Sequence, residues 1–486
     1  MFIWPIGRWL LMDRTPISFL GNPSSSREQF RNELDAVSPS FCAAKWKQVT
    51  VHLQNGLTHS CHHPVPHKIP LKELQLNPSA LHNTEFKKQQ RKLMLQGKRP
   101  AECDYCWRVE DSNSKSISDR IIKSQTDWAE PFINDIINRP WDNDVLPSYL
   151  EVSFGNTCNL KCSYCSPQFS SKWSEESEKY GGYPTSTNFN NLEHLKKNDL
   201  IPISHRDHNP YVEAFWKWWP EAYPNLSQFR ITGGEPLLNK NTFQVFDYIL
   251  EKPNPHLTLA INSNLCVQDH VLELAIERLK KILGQGQVKK VELYTSAEAH
   301  GPQAEYIRFG MNYNLWLNNV QRLCREVPQL ELIVMSTYNV LSLTSYIPFL
   351  KDLLAIKRDY GHNFNYRTAI HLDIPYLREP KHQSVFILDR EMLTFIFNQI
   401  LFIDSHMEGT HSNGTKKFGF SSTELDNLKR IYNVTTAALE NPSADQNMAR
   451  KDFAIFVDEH DRRRGTHFLN TFPELEKFYQ SCKALT

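Results

Sequence analysis

Between Ser148 and about Ile374, six short apolar segments alternate with helix-like stretches, and nothing else in this 486-residue chain narrows its fold as much. The strand-like segments are 149–154, 228–232, 257–262, 290–295, 330–336 and 367–374; the helix-like ones include 242–250, 267–283, 314–326 and 345–357. Such alternation predicts parallel strands joined by right-handed crossovers, hence an α/β sheet or open barrel. A closed barrel of this kind needs eight repeats, so six predict a partial (β/α)6 barrel over 148–376. The stretch 181–210, rich in Gly, Asn, Pro and His, reads as a loop inserted between the first two strands. Residues 1–40 read as an irregular arm with a loop from Gly21 to Ser26, and 41–125 as a cysteine-bearing domain with a helix over 85–95. A helical linker is expected over 126–147, ending at Pro140 and Pro147. A C-terminal helical domain follows over 377–486, with helices at 389–403, 421–439 and 449–460 and a last one opened by Pro473. Its Phe395, Phe397, Phe453 and Phe456 read as core.

The charge balance, 55 Lys plus Arg against 54 Asp plus Glu, offers no global attraction to nucleic acid or to an anionic membrane. No run approaches the ~18 apolar residues of a spanning helix. The apolar stretch Met1 to Leu20 is broken by Pro5, Arg8, Asp13, Arg14 and Pro16 and lacks a small-residue cleavage site, so it reads as a packing arm and not a signal peptide. The expectation is a cytoplasmic protein. Seven of the ten cysteines fall into two groups: Cys42, Cys61, Cys103 and Cys106, then Cys158, Cys162 and Cys165; Cys266, Cys324 and Cys482 stand apart. Clustered cysteines without an export signal point to metal or iron–sulfur ligation in a reducing compartment.

Cys158-Asn159-Leu160-Lys161-Cys162-Ser163-Tyr164-Cys165 is C-x3-C-x2-C directly after a predicted strand. Three thiolates so spaced can hold three corners of a cubane and leave the fourth iron open; zinc with a distant histidine, or a coincidental trio, are the alternatives. About 70 residues on, the next strand ends in Gly233-Gly234-Glu235-Pro236. Glycines there allow close backbone approach to a ligand, and a carboxylate can hold an ammonium group. Together these motifs resemble the radical S-adenosylmethionine (radical SAM) superfamily, with Tyr164 at the aromatic position of its cluster motif. The resemblance implies that Cys158, Cys162 and Cys165 bind a 4Fe–4S cluster whose open iron chelates SAM. It also implies that Tyr164 lies near the adenine and that Gly233, Gly234 and Glu235 hold the methionyl end. Asn264, at the third strand end, Ser296 (followed by Glu298) after the fourth, and Arg308, resembling an arginine that pairs with the methionyl carboxylate, complete the expected SAM contacts. Each could equally be a turn residue or a surface ion pair.

The other group is Cys42, thirteen residues, Gly56, four residues, Cys61, then Cys103-Asp104-Tyr105-Cys106. This resembles the opening of the SPASM motif and, with the later SPASM cysteines missing, the shortened twitch domain. The resemblance implies an auxiliary 4Fe–4S cluster fully ligated by Cys42, Cys61, Cys103 and Cys106; twitch domains generally follow the barrel, whereas this one precedes it. A four-cysteine structural zinc site is the alternative. His59, His62, His63 and His67 read as loop or supporting residues. The basic runs Lys87 to Lys92 and Arg462 to Arg464 read as solvated helix faces.

By resemblance, the chain is expected to cleave SAM reductively to a 5′-deoxyadenosyl radical that abstracts a substrate hydrogen, an oxidoreductase chemistry fed by a one-electron donor such as a flavodoxin or ferredoxin. Modification of a peptide or protein side chain is the preferred reaction. Oxidation or rearrangement of a small metabolite is the alternative, with tRNA modification or a non-catalytic metal-binding scaffold disfavoured.

Overall fold

The computed structural model describes residues 26–113, 116–204, 206–361, 370–410, 412 and 414–486. The loop expected from Gly21 and most of the expected arm therefore lie outside the described residues. The chain divides into two compact units, one comprising residues up to 50 and 58–149, the other 51–57 and 150–486.

In the first unit, helix α1 (Arg27–Val37) corrects the expectation of an irregular arm to residue 40. Ser26 caps it by accepting from the Gln29 N–H at 3.2 Å. Phe30, Leu34 and Val37, at helical spacing, reach a core that includes Phe41, Trp46 and Trp107. Trp128, Ile133 and Ile136 from the stretch read as a linker belong to the same core, and its short helix covers Ile133–Ile137. Helix α2 (Glu85–Leu95) spans the expected residues but is not a solvated basic face. Lys87, Arg91 and Met94 lie on one side at i, i+4 and i+7 and are buried. The Lys87 ammonium donates to Thr58 Oγ1 at 2.7 Å, and the Arg91 guanidinium to Asn83 Oδ1 at 2.9 Å.

The second unit is mixed α/β around a large, mostly parallel sheet. Six of the sheet's strands are β1 (Tyr149–Ser153), β2 (Gln228–Thr232), β3 (Asn254–Ser263), β4 (Val288–Ser296), β5 (Glu331–Met335) and β6 (Ile370–Asp373), neighbouring one another in chain order. Pairs β2–β3, β3–β4, β4–β5 and β5–β6 are parallel. Residues 362–369, where the last strand was expected to begin, lie outside the described residues. Helices α5 (Lys240–Glu251), α6 (Asp269–Gly284), α7 (Tyr313–Glu326) and α8 (Tyr346–Tyr360) alternate with these strands. Alternation along the strands buries Phe229, Ile231, Val291, Leu293, Leu332 and Val334 and leaves Arg230, Thr232, Glu292, Tyr294 and Ser296 half-buried on the other face. The segment read as an inserted loop between β1 and β2 contains a helix, Leu192–Lys197, and Pro210 opens another, Pro210–Ala222. The crossover also carries α4 (Ser171–Tyr180).

After β6 come α9 (Leu393–Ser405), α10 (Ser422–Glu440), α11 (Gln446–Arg464) and α12 (Glu476–Lys483). Ser421 and Glu424 form a capping box on α10, and Glu424 also accepts from the Leu372 N–H of β6 at 2.7 Å and the Lys357 ammonium at 2.8 Å. Phe453 and Phe456 are fully buried as expected, but Phe397 is 48% exposed and Phe395 half-buried. Helix α9 is apolar around most of its circumference, more than one packing face can cover. Nor do Arg462 to Arg464 form a solvated face: Arg463 and Arg464 are buried because that side of α11 turns inward, and only Arg462 faces solvent. No helix among the described residues is long and apolar enough to cross a membrane.

Candidate functional site

After β1 the chain loops through Gly155, Asn156 and Thr157 to Cys158, and the G-G-E-P turn after β2 is hydrogen-bonded directly onto that loop. Gly234 N–H donates to the Gly155 carbonyl at 3.1 Å and Glu235 N–H to the Thr157 carbonyl at 2.8 Å. A Cβ on Gly234 would sit 2.3 Å from the Thr157 oxygen, and one on Gly233 2.7 Å from the Gly155 oxygen. The close approach that these glycines permit is thus to the chain's own cysteine loop, and at Gly233 φ is also +125°. Gly234→Ala must displace this loop; the expected result is a loss of about 1–3 kcal/mol of stability, read by denaturant unfolding.

Further along, Ser171 Oγ accepts from the Cys158 N–H at 3.2 Å, Trp173 Nε1 donates to the Cys162 carbonyl at 2.8 Å, and Ser163 exchanges two bonds with Gln383 at 2.6 and 3.0 Å. Lys161–Cys162 pairs antiparallel with Arg308–Phe309, placing Cys162 opposite Arg308. Cys158, Cys162 and Cys165 feel one another's charge. Burial pushes the Cys158 thiol up to about 12, with Cys162 adding to it, and raises Cys165 further with help from both others. Cys162 is also raised by burial, and the Arg308 guanidinium, whose Nη1 lies 3.6 Å from its sulfur, pulls it back.

Glu235 is buried, 1% exposed. Its carboxylate accepts from Leu237 N–H at 3.0 Å, Ser263 Oγ at 2.8 Å and Asn264 N–H at 2.6 Å. Among the described residues no cation pairs with it, and burial raises its carboxyl to about 7 despite those bonds. Asn264 also donates to Asn159 Oδ1 at 2.8 Å and lies 4.0 Å from the Cys158 sulfur, tying the third strand end to the cysteine loop. Ser296 ends β4 opposite Met335.

Arg308 and Glu298 form a buried pair, with Nε and Nη2 on Oε2 at 2.9 and 2.7 Å. The Tyr164 hydroxyl accepts from Arg308 and donates to Glu298 Oε1 at 3.2 Å. Four contacts by a guanidinium with five hydrogens leave Arg308 largely committed to its own chain. Cys266, which no local spacing flags, stands within electrostatic reach of Arg308, Glu235 and Cys162, and its carbonyl accepts from Asn159 Nδ2 at 2.7 Å. Only the fold of the β3–α6 connection brings it here.

In the first unit Cys42, Cys61, Cys103 and Cys106 line one cavity. Cys103 precedes helix α3 (Asp104–Ser112) and Cys106 lies in its first turn, where the N-terminal amides favour thiolate. Burial nevertheless pushes both thiols up to about 12 and raises Cys42 as well. Lys45 and Arg120 oppose this at Cys42. Both are buried cations: Lys45 pairs with Glu102, and Arg120 with Glu110 and Asp35 at 2.9 Å each. Of the four histidines only His63 lines the cavity, stacked on Tyr105 and bonded to Asp119 at 2.7 Å. His62 and His67 bond to Gln48 and Thr84 at 3.4 and 2.9 Å, and His59 to the Cys61 carbonyl.

Among the described residues no three His, Cys, Asp or Glu side chains are arranged to hold a single metal ion. The fit to a cluster therefore rests on the donor sets: four cysteines on one cavity with two cations beside them, and three cysteines on a loop adjoining an unpaired buried carboxylate. Both suit an iron–sulfur group, since thiolates are its usual ligands. Neither a scan of protein-family models nor a search of curated proteins gives a match to this sequence.

Proposed function

We propose that the second unit is a radical SAM enzyme built on a partial (β/α)6 barrel. The observation that carries this reading is the direct hydrogen bonding of the G-G-E-P turn onto the C-x3-C-x2-C loop, two motifs about 70 residues apart. Cys158, Cys162 and Cys165 hold three irons of a 4Fe–4S cluster, and Cys42, Cys61, Cys103 and Cys106 hold all four of a second. When bound, the first cluster and SAM supply a one-electron cleavage that gives a 5′-deoxyadenosyl radical able to take a hydrogen atom from a substrate. The chain's own part is binding and orientation. Glu235 receives the methionyl ammonium, for which its unpaired buried carboxylate is suited. Gly233 and Gly234 fix that carboxylate beside the cysteine loop, Asn264 bonds it and reaches toward Cys158, and Ser296 and Tyr164 are assigned further SAM contacts on the resemblance alone. Arg308, held by Glu298, steadies Cys162. A peptide or protein side chain is the proposed substrate class, with a small metabolite the alternative that the twitch-like resemblance of 41–125 equally allows, and a flavodoxin- or ferredoxin-like protein is the proposed electron donor.

Anaerobic reconstitution tests the reading. The expected result is about eight iron and eight sulfide per chain, the content of two cubanes, with the reduced protein turning SAM into methionine and 5′-deoxyadenosine. Stoichiometric zinc with about four irons would reassign the first unit to a structural zinc site. Absence of SAM cleavage by a protein carrying its full iron would rule out the enzyme.

A further inference from the structure

Helix α11 delivers Arg464 to the backbone of the cysteine loop, some 300 residues earlier in the chain. The Arg464 side chain is fully buried. Its Nη1 donates to the Lys161 carbonyl at 2.8 Å, one residue before Cys162. Its Nε and Nη2 contact the two oxygens of Glu176 at 3.1 and 3.2 Å, and the Lys161 ammonium meets the same carboxylate at 2.6 Å. The Trp173 ring, whose indole nitrogen holds the Cys162 carbonyl, lies 4.8 Å from the Arg464 guanidinium. The neighbouring Arg463 donates to the Gly181 and Gly182 carbonyls at 2.9 and 3.0 Å and stacks over Tyr183, whose hydroxyl reaches Glu176 at 2.8 Å. Around Cys162, then, stand Arg308, Arg464 and Lys161 with the carboxylates Glu298 and Glu176.

At Cys162 these three cations against two carboxylates leave a net positive charge, with Glu235 lying instead on the Cys158 side of the loop. A scaffold contact alone needs no such excess, since burying an uncompensated charge is costly. An anionic group at the cysteines offsets it. Adding an electron there makes that group more negative, and nearby positive charge favours that state.

We infer that Arg464 is a positioning residue for the cluster on Cys158, Cys162 and Cys165: it fixes the Lys161–Cys162 backbone and, with Lys161 and Glu176, sets the reduction potential at that site. The inference rests on the functional reading above. It gives the inward-facing basic end of α11 a role in electron acceptance and not in gripping an external phosphate.

Redox titration of the reconstituted full-length protein, followed by electron paramagnetic resonance, tests it. The barrel cluster is the signal absent from a variant lacking Cys158, Cys162 and Cys165. Arg464→Gln removes a cation and is expected to make its midpoint more negative by about tenfold in the redox equilibrium, 59 mV for a one-electron couple. Glu176→Gln removes the carboxylate and is expected to shift it by a similar amount in the opposite direction, while Arg464→Lys, which keeps the charge, stays near wild type. A purely structural role would not produce opposite shifts. Unchanged midpoints, or shifts of the same sign in both glutamine variants, overturn the inference alone. Should Arg464→Gln not fold, Glu176→Gln decides: an upward shift sustains the inference and its absence overturns it. A wild-type protein that takes up no barrel cluster overturns the functional reading and this inference together.

Discussion

Replacing Cys158, Cys162 and Cys165 together by alanine will remove about half of the iron, from about eight to about four per chain, and will abolish reductive SAM cleavage. The effect is all-or-none because three thiolates are the only protein ligands proposed for that cluster. The readout is clean because the loop has supports other than its sulfurs. Ser171, Trp173 and Gln383 bond its backbone, and Ser170 Oγ donates to the Leu160 carbonyl at 2.8 Å. Removing the three sulfurs leaves those backbone bonds in place, so circular dichroism and the iron proposed for the first unit, a separate compact unit, should be retained. Retention of all the iron in a folded triple variant would eliminate the proposed ligand set. Loss of all of it would show that the two cysteine groups do not load independently.

Glu235 carries the second large effect, and it runs in opposite directions for stability and for binding. Burial raises its carboxyl to about 7, against an ordinary value of 4.5. In the ligand-free protein the folded state therefore holds a proton that the unfolded chain releases. This contribution is fully present below about pH 4.5 and is lost as pH rises through 7, and the difference amounts to roughly 3 kcal/mol. Binding of an ammonium group needs the ionised carboxylate, so SAM affinity should rise over the same window, by about tenfold per pH unit below 7. Glu235→Ala should flatten both dependences and weaken SAM binding about ten- to a hundredfold near neutral pH, the worth of a charge-assisted bond, while leaving the iron content nearly unchanged. Equilibrium dialysis with labelled SAM and urea unfolding at pH 5 and 8 measure the two arms. If affinity is unchanged in a folded variant, the ammonium partner is not Glu235. If affinity falls but the pH profile of stability persists, another buried group carries the titration.

The α/β alternation and five of the sheet's strands were legible because each reports on a local period. Gln228–Thr232 is a strand as expected, and Leu257, Lys290 and Leu330 open apolar segments whose strands differ from the expected bounds by a few residues. The seven clustered cysteines and Gly233-Gly234-Glu235 stood out for the same reason: their spacing is short, and the residue types have few other uses in such patterns. What misled was side chains judged by type and not by the face they occupy. Lys87, Arg91, Arg463 and Arg464 looked like solvent cations, yet helical spacing turns them inward, where Thr58, Asn83, the Gly181 carbonyl and Glu176 respectively receive them. Phe397 looked like core, yet α9 has more apolar surface than its neighbours cover.

By itself, then, the sequence determined the alternation of strands and helices from residue 228 to the last strand and which sulfurs travel together, since both follow from periods of a few residues. Only the tertiary structure decided which distant groups share the site. Arg308 is taken by Glu298, Cys266 is brought toward Cys162, and Arg464 reaches the Lys161 carbonyl. The physical reason is that a buried charge must find its partner wherever the fold supplies one, and the distance along the chain to that partner leaves no mark on the local pattern.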